Sequence, residues 1–195
     1  MNSKTSICTL ALAFLGQAPI ASLEQDNEQA RWLSLFYDPV RDEVLRTHDW
    51  AFAATEKPLI LVKRPEGAQG AYVYKYPADA LFVRRVYSPV APQTPVPFTE
   101  RFDTSIHQRV LCTTVPQACI YYTRRITDET LYDAAFVKCF ALALACDTAL
   151  ALTGDIDLSA RLQQKYTLYL EEARRTNMAE NCLRTPQTDA FSEVR

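Results

Sequence analysis

Glycine is scarce in this chain, four residues among 195, and the scarcity removes the motifs that depend on it. There is no G-x-x-x-x-G-K-[ST] phosphate loop and no G-x-S-x-G nucleophile elbow, both of which need backbone conformations that glycine adopts most cheaply. Histidine is scarcer still, at His48 and His107. No H-E-x-x-H occurs, and any nucleophile–base scheme is confined to two imidazoles. His48 precedes Asp49, but neighbours on a helix point to different faces, so the pair is poorly placed as a relay. A helix-end histidine meeting the helix dipole is the preferred reading. His107 lies in a polar stretch with no implied partner. The six cysteines (Cys8, Cys112, Cys119, Cys139, Cys146 and Cys182) contain no C-x-x-C pair, which argues against a zinc or dithiol site. Cys139 and Cys146, seven apart on a predicted helix, are separated by roughly 10 Å along its axis, too far for a disulfide. They read as reduced, buried small hydrophobes of a protein assembled in a cytosol. The carboxylate pairs Asp42-Glu43, Asp155/Asp157 and Glu171-Glu172 sit where caps or solvated helix faces put them. The expectation is therefore a non-enzyme with no catalytic residue, no cofactor and no metal.

What is present is ordinary globular material. Apolar residues make up 48% and charged residues 23%, a balance that buries a core rather than staying disordered. The net charge of −2 makes no overall case for a nucleic-acid or acidic-membrane binder. Its distribution is uneven. Residues 1–50 carry 4 basic and 7 acidic side chains, residues 51–125 carry 10 and 5, and residues 126–195 carry 7 and 11. A basic middle between acidic ends reads either as solvated surface or as complementarity between copies packed head to tail, where two different patches must match. The arginine pairs Arg84-Arg85, Arg124-Arg125 and Arg174-Arg175 are too dispersed for a nucleic-acid signature, although the first two suit a DNA channel if copies form a ring.

Along the chain the texture runs helical, β-rich, helical. Ile7, Leu10, Ala11, Phe14 and Leu15 follow a helical stripe with Gly16 at a C-cap position. The same stretch, with Lys4 before it and small residues near Ala18, also has the form of a signal peptide; helix is preferred. Ser22 and Gln25 have capping-box spacing and open a second predicted helix, which Pro39 kinks or divides with Asp38 capping the second piece. From 58 to 125, Tyr72, Tyr74 and Tyr76 alternate with Val73 and Lys75, a period-two strand signal. Residues 81–83, 109–113 and 118–122 read as further strands, the last two joined as a hairpin across residues 114–117. The four prolines Pro89, Pro92, Pro95 and Pro97 mark an exposed loop. Residues 131–152 are apolar almost all round, the character of a central buried helix, and contain Asp147, which argues against a membrane span. Gly154 ends that helix. Asp157 or Ser159 caps a last one, whose stripe is Leu158, Leu162, Tyr166, Tyr169, Leu170 and Ala173. Residues 1–57, 58–125, 126–182 and an extended tail 183–195 are the expected parts. The expected fold is α+β: mainly a bundle of four to five helices with a small antiparallel β insertion.

The N-terminal words carry a likeness. Leu15-Gly16-Gln17-Ala18-Pro19-Ile20-Ala21-Ser22-Leu23 precedes a helix with Ala30, then Arg41-Asp42-Glu43-Val44-Leu45-Arg46 and Trp50-Ala51-Phe52. This resembles the tail tubular protein A family of short-tailed bacteriophages and prophages, whose members share an LG-x-x-P-[IV]-x-[ST]-L start and a helix ending in W-x-F. The far end is similar by pattern, closing in Asp189-Ala190-Phe191. The proline-rich 89–97 stretch and the six cysteines depart from the family pattern. Leu15, Gly16, Pro19, Ser22, Leu23, Arg41, Trp50 and Phe52 are the motif positions.

The resemblance implies a virion protein assembled in the host bacterial cytoplasm: a ring of about twelve copies held by heterologous contacts that close a cycle. Such a ring joins the portal to the tail tube or nozzle, offers docking surfaces for tail fibres, and passes DNA without sequence specificity or any membrane. The expected portal contacts are Leu183, Arg184, Phe191, Val194 and Arg195. Those between subunits are Arg84, Arg85, Tyr72 and Tyr74, aromatic side chains being suited to interfaces. Two other readings stand beside it: a head-completion connector of a long-tailed phage, and a secreted or periplasmic protein with a cleaved N-terminal signal.

Overall fold

The computed structural model describes residues 2–64 and 71–182, without the side chains of 178–182. It forms two compact units, one from residues 1–40 and 132–195, the other from residues 41–131. The divisions fall at Val40 and Tyr132, where the sequence suggested 57 and 125. Among the described residues there are four α-helices and eight strands, the strands in two four-stranded antiparallel sheets. The expectation of a helical bundle carrying a small β insertion is thus overturned: the fold is a sheet-rich α+β one. The sequence understated the strands because several have no alternating apolar face to announce them.

The first unit is helical. Helix α1 (Lys4–Phe14) begins with a reciprocal capping box, Ser3 Oγ accepting from Ser6 N at 3.1 Å and Ser6 Oγ from Ser3 N at 2.9 Å. It ends where Gly16 takes a left-handed φ of 67°. Ile7, Cys8, Ala11 and Leu12 are its buried residues, so the buried face is turned slightly from the expected stripe, and it packs on α3. Helix α2 (Glu28–Thr47) starts later than Ser22. Ser22 Oγ bonds Glu24 N two residues on, a local turn, while Asn27 Oδ1 accepts from Ala30 N at 2.8 Å and serves as the real cap. Pro39 neither divides the helix nor needs Asp38 as a second cap; the helix runs on through it with one backbone donor missing.

Helix α3 (Ala134–Thr153) is bounded by Asp133, whose carboxylate accepts from Phe136 N at 2.6 Å, and by Gly154 at φ 66°. It is long and apolar enough to cross a membrane by length and composition, and eleven of its residues are buried in this unit. Phe140 meets Tyr37 edge-on at 4.9 Å between ring centroids; Phe140→Ala would cost about 3–5 kcal/mol by transfer and cavity effects together. Helix α4 (Ile156–Cys182) packs on α3 through Leu162, Leu170 and Ala173. Its cap is Asp155, which accepts from Leu158 N at 2.9 Å, rather than Asp157 or Ser159.

In the second unit the last turns of α2 precede the strands β1 (Ala54–Pro58), β2 (Leu61–Lys63), β3 (Tyr72–Lys75), β4 (Ala80–Ser88), β5 (Ala91–Val96), β6 (Phe98–Asp103), β7 (Gln108–Thr113) and β8 (Cys119–Arg124). One sheet has the order β1-β8-β4-β5, the other β2-β3-β7-β6. The chain therefore visits the sheets in pairs, and β8 returns to lie between β1 and β4. The expected hairpin across 114–117 does not form. β7 and β8 belong to different sheets, and the turn, with Gln117 at φ 54°, carries the chain from one to the other. The expected proline-rich loop is instead edge strand β5, paired to β4 (Val86↔Val96, Tyr87↔Pro95). Proline is compatible with an edge, where its missing donor breaks no inner ladder. Val83, Val86, Ile120 and Tyr122 from the first sheet and Tyr74 and Leu111 from the second share one core with Leu59, Tyr76 and Ala118.

Candidate interaction surface

Arg84 and Arg85 are neighbours on β4 and do different work. The Arg84 guanidinium donates to Thr123 Oγ1 at 2.9 Å, to the Arg46 carbonyl at 3.0 Å and to the His48 carbonyl. Those carbonyls lie at and just beyond the C-terminus of α2, the negative end of the helix dipole. Arg84 thus holds the helix end to the sheet. Arg85 pairs with Glu56 at 3.0 Å and lies over the rings of Tyr87 and Tyr121, each at 5.2 Å. Tyr121 in turn donates to Asp49 Oδ2 at 2.6 Å. Burial, then this bond to a carboxylate, pushes the Tyr121 phenol far above its ordinary value and keeps it a donor.

Of the other expected contact residues, Tyr74 is 1% exposed. Its hydroxyl donates to the Val115 carbonyl at 2.7 Å and accepts from Ala118 N at 3.3 Å, so it is a core residue of this unit. Tyr72 is half-buried and stacked beside it at 6.3 Å. Leu183, Arg184, Phe191, Val194 and Arg195 lie outside the described residues. The motif positions at the N-terminus have structural roles. Leu15 is buried at the end of α1 and Gly16 supplies the left-handed turn. Trp50 is buried and donates from Nε1 to the Val44 carbonyl at 3.0 Å. Arg41 is buried and grips Asp42 Oδ1 through Nε at 2.9 Å and a terminal nitrogen at 2.7 Å. Pro19 is exposed, while Ser22, Leu23 and Phe52 are half-buried.

A basic groove that sequence reading missed opens beside the turn between β3 and β4. It has a volume near 440 Å3, and Tyr76 and Pro77 meet Lys75, Arg109, Arg125 and Gln108 in its lining. Arg109 lies 4.1 Å above the Tyr76 ring and pairs with Glu100; Arg125 pairs with Asp42 at 2.8 Å. In both pairs the cation is the outer member. The Arg109 and Arg125 side chains are 56% and 50% exposed, against 35% and 21% for Glu100 and Asp42. The carboxylates hold guanidinium groups that line the groove, and each guanidinium has further N–H donors beyond its pair. Lys75 adds an exposed ammonium.

A second groove shares Lys75, Tyr76, Pro77 and Ala78 with the first and contains Lys57 and Asp79. Lys57 Nζ stands 3.2 Å from Asp79, and Tyr122 donates to the same carboxylate at 3.1 Å. Burial pulls the Asp79 carboxyl upward, but the hydrogen bonds from Lys57 and Tyr122 outweigh it and hold the group below its ordinary 3.8. Nothing in the sequence joins residues 57, 79 and 122; only β1 and β4 flanking β8 does. The cations of the first groove, Lys75, Arg109 and Arg125, were visible in sequence as members of the basic middle, but not their convergence, because they come from three separate segments.

His48 packs edge-on against Trp50 at 5.1 Å, a helix-end position, and His107 is exposed in the β6–β7 turn at φ 50°. Among the described residues no three His, Cys, Asp or Glu side chains converge as a metal set. No family model matches the chain, and no curated protein matches it.

Proposed function

We propose that this protein is a non-enzymatic structural subunit of a short phage tail, a ring-forming adaptor between the portal and the tail tube or nozzle, with DNA passing through its lumen. The observation that carries the reading is the N-terminal set Leu15-Gly16, Arg41 and Trp50, whose likeness to the tail tubular protein A pattern falls on residues with framework roles. Gly16 turns the chain at the end of α1, and Arg41 and Trp50 are buried around the last turns of α2. A second support is charge. The helical unit carries 9 basic and 13 acidic residues and the β unit 12 and 10, and copies packed head to tail gain from opposite signs on their two different faces.

The test is to mix the purified chain with its cognate portal protein, measure mass by light scattering and examine the product by electron microscopy. The expected result is a ring of this chain docked on the portal. A chain that stays monomeric at every concentration and never binds the portal would overturn the proposal.

A further inference from the structure

Two helices of the first unit bury one face and turn an apolar stripe outward on the opposite one. Helix α2 buries Ala30, Leu33, Tyr37 and Val40. On its other side Trp32, Leu35, Phe36 and Pro39 face out, with Leu35 63% exposed and Trp32 stacked on Phe36 at 6.1 Å. Glu28 and Arg31 continue the stripe and, with Trp32 and Leu35, line an open recess. Helix α4 buries Leu162, Leu170 and Ala173 and turns Leu168, 70% exposed, outward among Arg161, Gln164, Lys165 and Glu172. Charged side chains flank both leucines. Among the described residues Glu28, Glu171 and Arg175 are exposed and have no ion partner within the chain. Arg31 has only Asp26, at 3.4 Å between side chains 73% and 96% exposed, a pair that contributes little in water.

We infer that the α2 stripe of one copy packs antiparallel on the α4 stripe of the next, Leu35 against Leu168. The contact presupposes the ring reading and supplies the joint between its copies. On a helix, residues three, four and seven positions from a centre share its face. When two helices pack antiparallel, a residue before one centre comes level with a residue after the other. Glu28, seven before Leu35, then meets Arg175, seven after Leu168, and Arg31 meets Glu171. Both pairs are opposite in charge. Parallel packing about the same centre would instead set Arg31 beside Lys165 and Asp38 beside Glu172, like against like. Contacts of one helix with its own copy fit less well. Two α4 stripes would oppose Arg161 to Arg175, and two α2 stripes would bring Glu28 level with Asp42 and leave Leu168 in water. The two surfaces differ, so the contact is heterologous and each copy has one of each to offer, the requirement for a closed ring. About three turns of helix bury less than a stable dimer needs. The joint therefore closes when a portal holds copies side by side and raises their effective concentration.

Cysteine cross-linking tests it. Leu35→Cys and Leu168→Cys chains are mixed 1:1 with the portal protein and oxidised mildly, and the linked peptides are mapped; the wild-type chain gives the background from the native cysteines. The two positions come within disulfide reach only if the stripes meet. Circular dichroism establishes that each variant folds. The expected result is a 35–168 link from the mixture, and a ladder of multimers from a chain carrying both substitutions. Arg31→Glu in the Leu35→Cys chain should slow the link roughly tenfold, and Glu171→Arg in the Leu168→Cys chain should restore it. Three results would overturn the inference and leave the ring reading standing: a 35–35 or 168–168 link equal in yield to the 35–168 link, rings on the portal with no 35–168 link, or an Arg31→Glu chain that links as fast as its parent. A chain that binds no portal and forms no ring would sink the ring reading and this contact with it.

Discussion

Replacing Arg84 with alanine is the sharpest probe of how the β unit holds the end of α2. The substitution removes donors to Thr123 Oγ1 and to the carbonyls of Arg46 and His48, and also the guanidinium stacked 4.7 Å from the Phe82 ring. Hydrogen bonds from a charged donor contribute about 1.5–3 kcal/mol each. The three do not add, because Arg84 is half-buried and the Arg46 end is open to water, which rehydrates freed carbonyls. The expected loss is about 2–3 kcal/mol. Lysine at this position keeps the charge but reaches fewer acceptors at once, so Arg84→Lys should lose about half as much. The assay is urea unfolding in a Trp32→Phe background, where fluorescence reports on Trp50, which bonds the Val44 carbonyl in the same helix end. With a slope of about 2 kcal/mol per molar, the midpoint should fall by roughly 1 M with the slope unchanged. A midpoint within about 0.2 M of the parent would refute the reasoning and show that water satisfies those carbonyls as well as the arginine does. The same geometry changes how assembly data are read: charge reversal at Arg84 damages the helix anchor, so it cannot by itself report on contacts between copies.

Three further outcomes follow. Tyr74→Phe removes the bond to the Val115 carbonyl and strips the buried Ala118 N–H of its acceptor, and should destabilise the protein by about 1–3 kcal/mol; calorimetry showing an unchanged melting temperature would count against the core assignment of that hydroxyl. The Asp79 carboxyl is held below its ordinary value, so the stability it contributes is full above about pH 4 and is lost as pH falls through its folded-state value; Asp79→Asn should flatten the acid side of the stability profile, and a slope equal to wild type below pH 4 would contradict this. Burial pushes the thiols of Cys8 and Cys139 up to about 12 and that of Cys146 to about 11, so at pH 8 they should resist iodoacetamide until denaturant is added; peptide mapping that finds any of the three alkylated in the native protein would be inconsistent with their packing.

The elements that the sequence determined by itself are those whose signals are local. Gly16 and Gly154 stop α1 and α3 because a left-handed residue ends a helix wherever it is placed. The near-continuous apolar surface of α3 marks a central helix because such a surface has to be covered on every side. The tyrosine alternation of β3 and the β-branched and aromatic content of β7 and β8 were equally legible. Signals that compete locally were read less well. Ser22 and Asn27 both have the chemistry of a cap, and Asp155, Asp157 and Ser159 all stand within reach of one helix start. Which one wins depends on where the helix packs.

Only the tertiary structure decided strand partnership. The turn at residues 114–117 looks the same in sequence whether it folds β8 back on β7 or sends it to the other sheet. The difference is the burial of Ile120 and Tyr122 against strands whose paired residues lie 34 to 67 positions away in the chain. The proline-rich 91–96 segment became a strand because β4 offered an edge, and an edge tolerates missing donors. Tyr74, alternating on β3 with the half-buried Val73 and the exposed Lys75, went to the core because its hydroxyl found Val115, 41 residues on. Arg84 became an anchor and Arg109 a groove wall for the same reason. A long polar side chain carries no local record of which distant carbonyl, ring or carboxylate it will meet, and that meeting decides whether it serves the fold or a partner.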